Sequence, residues 1–95
     1  MGPRIVITVL AVLWATPFAA AEEPWQAKLT AALDSPLRSE QEKARDANRR
    51  PAETLAFMGL RDDMRVLELF PGTGWYTKLL APVLAERGTL YLALG

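Results

Sequence analysis

The sequence predicts an α/β fold: N-terminal helices, then the first βαβ unit of a doubly wound parallel sheet. Three observations carry this reading. Met64 to Phe70 is a short apolar run bounded by turn residues, the pattern of a strand buried on both faces. Pro71-Gly72-Thr73-Gly74 then leads into an amphipathic stretch, Trp75 to Glu86. A second apolar run, Thr89 to Leu94, follows Arg87-Gly88. Residues 64–94 thus hold strand, glycine turn, helix and strand, the length of a parallel crossover unit of about 30 residues or more.

The chain before this unit divides into an address and a helical segment. Residues 1–21 carry Arg4, an apolar run from Ile5 to Ala15, Pro17 and then Ala19-Ala20-Ala21. This is a secretory signal layout, too short for a spanning helix of about 18 or more apolar residues. Cleavage near Ala21 and export, to the periplasm, are the expectation, with the membrane involved only through the signal peptide. Residues 22–63 then form the N-terminal helical segment, and 64–95 the incomplete βαβ unit.

Within 22–63 each helix has a local reason. Trp25, Leu29, Ala32 and Leu33 fall at helical spacing, and Asp34-Ser35-Pro36 ends the run. Ser39-Glu40-Gln41-Glu42 is a capping box: the Ser39 hydroxyl takes the Glu42 amide, and the carboxylate reaches back. A polar helix from Glu40 to about Asn48 follows. Arg45, Asp46 and Arg49 are read as a structural ion network pinning this helix to the core, in preference to substrate binding. Pro51 suits the first turn of another helix, with Leu55 and Met58 on one face and Gly59 as its C-terminal cap. Arg61-Asp62-Asp63 is a polar turn.

Beyond the glycine turn, Trp75, Leu79, Leu80, Val83 and Leu84 form one stripe, and these are core positions. Pro82 removes the bond to the Lys78 carbonyl, so a kink or looser turn is expected. Two strands do not complete a doubly wound sheet, and the sequence stops where the second should end. The expectation is the front portion of a longer protein, or a truncated reading frame.

Composition narrows the chemistry. The 95 residues hold one domain at most, with 11 Lys+Arg against 11 Asp+Glu, so no electrostatic footprint for nucleic acid exists. There is no Cys and no His. Disulfides, thiol nucleophiles, Cys-based metal sites and Ser-His-Asp chemistry are excluded within this chain, and no metal is called for. Hydrophobic residues at 51% with zero net charge argue against disorder.

The string Val66-Leu67-Glu68-Leu69-Phe70-Pro71-Gly72-Thr73-Gly74 is the informative one. Glycines at 72 and 74 permit a sharp turn and close approach of a ligand to the backbone. They serve equally a tight strand-to-helix connection with no ligand. Glu68 sits in an apolar strand, where an ionised carboxylate needs a donor from a loop amide or a ligand. An NTPase phosphate loop fails, because Lys78 lies four residues past Gly74. A dinucleotide fingerprint fits poorly, since Thr77 stands at its third glycine.

The remaining pattern, an acidic strand residue followed by x-x-x-Gly-x-Gly, resembles motif I of the class I S-adenosylmethionine-dependent methyltransferases. The flanks sharpen it. Arg45-Asp46-Ala47-Asn48-Arg49-Arg50-Pro51-Ala52-Glu53-Thr54-Leu55, Pro71-Gly72-Thr73-Gly74-Trp75-Tyr76-Thr77 and Leu80-Ala81-Pro82 together resemble the N-terminal part of a family of exported bacterial proteins described as predicted methyltransferases. The resemblance runs from about residue 38 to the end and implies a Rossmann-like class I methyltransferase fold. It implies S-adenosylmethionine as cofactor, with Gly72, Thr73 and Gly74 along its methionine and ribose part. Glu68 would orient the loop or hold the cofactor's amino group. The chain departs from the pattern at Phe70, where many methyltransferases have a glycine. The second acidic residue of the wider superfamily would fall at or beyond Gly95. No catalytic residue and no methyl acceptor are implied. The alternative is a truncated non-catalytic fragment, or a ligand-binding or interaction protein on the same scaffold.

Overall fold

The computed structural model describes residues 23–94, so the expected signal peptide lies outside the described residues, as does Gly95. The element order is α1 (Pro24–Leu33), α2 (Glu40–Ala44), α3 (Asp46–Arg49), α4 (Pro51–Phe57), β1 (Arg65–Leu69), α5 (Thr77–Leu84) and β2 (Thr89–Ala93). It is a small α/β arrangement with a two-stranded parallel sheet, paired from Arg65 with Thr89 to Leu69 with Ala93.

Local chemistry sets the boundaries. Pro24 opens α1, and the Glu23 amide donates to the Gln26 side chain at 2.8 Å. The Ser39 box is formed on both arms: Glu42 N–H to Ser39 Oγ at 3.1 Å and Ser39 N–H to Glu42 Oε1 at 2.7 Å. Pro51 stands in the first turn of α4. That helix ends as a Schellman motif, with Gly59 at φ +79°, its amide bonded to Ala56 O, and the Leu60 amide bonded to Leu55 O.

The expected polar helix from Glu40 to Asn48 is divided at Arg45 into α2 and α3. Bonds of three-residue spacing, Arg45 N–H to Glu42 O and Asn48 N–H to Arg45 O, tighten the chain there. The last helix is shorter than Trp75–Glu86: Trp75 and Tyr76 stay in the turn, and α5 runs through Pro82 to Leu84.

The core lies between α1 and α5. Trp25, Leu29 and Ala32 meet Leu79, Leu80, Val83 and Leu84, and Leu55, Leu60 and Trp75 complete the cluster. Each large side chain buried there contributes about 1.5–3 kcal/mol of transfer free energy. Asp62 is the buried acid of this region. It accepts from Lys28 of α1 at 2.8 Å and from Arg87 at 3.4 Å. The polar turn is therefore tied to α1 and to the segment between α5 and β2.

The strands are not buried on both faces, contrary to the sequence expectation. Val66 and Leu90 pack against the core, while Leu67, Leu69 and Tyr91 are 60%, 62% and 51% exposed. Helices cover one face of the sheet among the described residues, so alternate strand side chains face outward. Met58, expected on one face with Leu55, caps α4 and is exposed while Leu55 is buried. No helix among the described residues is long and apolar enough to cross a membrane.

Candidate functional site

Between β1 and α5 the backbone turns through three left-handed residues. Phe70 has φ +51°, Gly72 +61° and Gly74 +89°. The Phe70 amide still donates to Ala93 O at 3.0 Å, the last rung of the sheet. Gly74 N–H then closes the turn on Pro71 O, and Lys78 N–H to Gly74 O begins the helix. A Cβ at Gly72 would meet nothing within 4 Å, so glycine is required here for its φ rather than for space. Phe70, the departure from the methyltransferase pattern, holds the left-handed backbone suited to glycine. For a side-chain-bearing residue this costs about 1–2 kcal/mol.

Glu68 is half-buried on β1 and has a donor in this chain. The Thr77 hydroxyl donates to Glu68 Oε1 at 2.6 Å, across the whole glycine turn. The donor within the chain is thus a helix hydroxyl rather than a loop amide. In the sequence Thr77 stands at the place of a third glycine and closes the Pro71–Thr77 segment, and neither position hints at this partner.

Beside the turn lies a cleft of about 630 Å3. Its walls are mostly apolar: Leu55 and Met58 of α4, Val66 and Leu69 of β1, then Phe70, Pro71, Trp75 and Tyr76. Its charged groups are Arg49 and Glu68. Of the expected ligand residues, Glu68 lines the cleft. Gly72, Thr73 and Gly74 form the turn between Pro71 and Trp75 and do not line it themselves. Trp75, read as core, is buried and also forms part of this wall.

Trp75 is the point at which the helical segment meets the site. Its indole N–H donates to Glu42 O at 2.9 Å, and its ring meets Tyr76 edge-on at 4.7 Å. The Lys78 ammonium donates to both Glu42 oxygens at 3.0 Å. The Ser39 backbone amide and Lys78 together hold the Glu42 carboxyl below its ordinary range.

The ion network differs from the expected one. Asp46 pairs with buried Arg38, Nη2 to Oδ1 at 2.6 Å and Nη1 to Oδ2 at 3.0 Å, rather than with Arg45 or Arg49. Arg38 also donates to Leu33 O at 2.9 Å. The Asp46 hydrogen bond raises the Arg38 pKa further, so the guanidinium stays charged. Arg45 and Arg49 make no ion pair among the described residues. Arg49 instead sits over the Trp75 ring, Cζ 4.6 Å from the centroid, and Arg38 approaches the same ring at 5.3 Å.

The arrangement suits binding and orientation. Among the described residues no group of three or more acidic side chains is placed to hold a metal ion. No protein family, curated protein or solved structure matches this chain.

Proposed function

We propose that this chain forms the cofactor-binding front of an exported methyltransferase-like protein that takes S-adenosylmethionine, its two parallel strands opening a class I methyltransferase sheet. The observation that carries this reading is the Glu68 carboxylate, fixed by Thr77 at the end of β1 beside an open cleft. The residues present fit the group. The cleft volume lies within the range of about 300–1,000 Å3 for small-molecule sites, with apolar walls and few polar groups. The space beside Gly72 is open for approach to the backbone.

When bound, the cofactor supplies a sulfonium that makes its methyl group electrophilic. The chain's own part is positional. Thr77 bonds Glu68, Trp75 and Tyr76 pack edge-on in the cleft wall, and Lys78 with Glu42 ties down the helix that carries Thr77. Residues 1–21 direct the protein out of the cytosol, with cleavage near Ala21.

Calorimetric titration of the full chain with S-adenosylmethionine tests the reading. Saturable heat that Glu68→Ala weakens supports it; no heat at millimolar ligand refutes it. Export is tested by N-terminal sequencing of the product recovered from expressing cells, where an intact Met1 would refute cleavage.

A second reading is favoured by the uncovered apolar face of Leu67, Leu69 and Tyr91: a non-catalytic interaction protein on the same scaffold. Sedimentation over a range of concentrations separates the two, since an interaction scaffold associates through that face and Leu67→Lys abolishes the association.

A further inference from the structure

Arg49 is the one Lys or Arg among the described residues that lines the cleft. Lys28, Arg38, Arg50, Arg61, Lys78 and Arg87 each have a carboxylate partner. Arg49, like Lys43, Arg45 and Arg65, has none among the described residues, and of these four it is the one that lines the cleft. Its Cζ lies 4.6 Å over the Trp75 ring, and its guanidinium N–H groups have no hydrogen-bond acceptor among the described residues. The guanidinium fork matches a carboxylate in bidentate geometry.

Glu68 is the complementary group. One of its oxygens takes the Thr77 hydroxyl, and the other accepts nothing among the described residues. Arg49 and Glu68 line one cleft without pairing with each other. The cleft therefore offers donors at Arg49 and an acceptor at Glu68 among mostly apolar walls. A phosphate dianion would gain at Arg49 but meet repulsion from Glu68. A zwitterion gains at both.

We propose that Arg49 is the carboxylate-binding residue of this cleft and that the ligand carries a zwitterionic amino-acid end. The inference rests on the S-adenosylmethionine reading and gives that site its recognition of the methionine carboxylate, a role the sequence pattern had not assigned.

The test uses two probes on the full chain, S-adenosylhomocysteine, which carries the amino-acid end, and 5′-methylthioadenosine, which lacks it. The parent binds the first more tightly. Arg49→Gln weakens S-adenosylhomocysteine by about tenfold or more and leaves 5′-methylthioadenosine unchanged, the size expected for one lost charge-assisted contact. The unchanged second affinity, with a thermal midpoint, shows that the variant is folded. Equal loss of both probes, or of neither, overturns the role of Arg49 while leaving the nucleoside reading in place. Equal affinity of the parent for the two probes does the same. A parent that binds neither overturns the S-adenosylmethionine reading, and this inference falls with it.

Discussion

Thr77 and Glu68 are joined by a 2.6 Å hydrogen bond that closes the glycine turn from strand to helix. The bond links two elements that otherwise touch through apolar side chains. A bond to a charged acceptor contributes about 1.5–3 kcal/mol when buried, and less at this half-buried position. Thr77→Val and Glu68→Ala, singly and together, form a double-mutant cycle in urea. The expected coupling is about 1 kcal/mol. Additive losses would mean that the turn is held by its backbone alone.

Phe70 occupies left-handed backbone at φ +51°, and its side chain is 75% exposed. Little packing is lost when the ring is removed, and the strain is released. Phe70→Gly is expected to stabilise the fold by about 1 kcal/mol, net of the added freedom of the unfolded chain. The urea midpoint measures it. A lower midpoint would show that the ring contributes packing despite its exposure.

Gly88 is the reverse case. A Cβ there would lie 2.6 Å from Met64 O, 2.8 Å from Asp62 O and 2.7 Å from Leu84 Cδ2. Two of these are backbone oxygens, and the Met64 carbonyl already accepts from Thr89 N–H at 2.9 Å. Gly88→Ala should cost about 1–3 kcal/mol through overpacking. Thermal melts monitored by circular dichroism check it, with no change in midpoint as the contrary result.

Acid should unfold the chain through two carboxylates in particular. Glu42 is held low by the Ser39 amide and then Lys78; Asp62 is held low by Lys28, with Arg87 adding to it. Each binds a proton more readily unfolded than folded. Their stabilisation is therefore complete above the ordinary carboxylate range, about pH 4, and is lost as pH falls through the lowered folded values. Stability should be flat near neutrality and fall below about pH 4. Glu42→Gln with Asp62→Asn should flatten that fall in urea titrations at stepped pH. An unchanged acid limb would assign the loss to other carboxylates.

The parts legible in the sequence were those whose signals are local. Pro51 and Gly59 bracket α4 by their own backbone chemistry, and Ser39 with Glu42 forms its box within one turn. The stripe from Trp75 to Leu84 is buried throughout at its expected positions. Pairings between distant residues left no such trace. Arg38 follows a Pro-Leu pair with nothing to mark it as buried, because its cover, Trp75, lies on another element. Asp46 turns to Arg38, eight residues upstream, a spacing no single helix would pair. The two faces of β1 were also unreadable: Val66, Leu67 and Leu69 are all apolar, and only the placement of α5 decides which packs inward. At the site, Glu68 and the turn were legible, whereas Thr77, Arg49 and the cleft wall from α4 needed the third dimension.

The indole of Trp75 sits against two guanidinium groups, at 4.6 and 5.3 Å, on the rim of the cleft. Its emission colour follows the electric field across the ring, and that field would change if an anion docked on Arg49, the neighbour that lines the cleft. The Trp75 emission would thus report the proposed docking without a label.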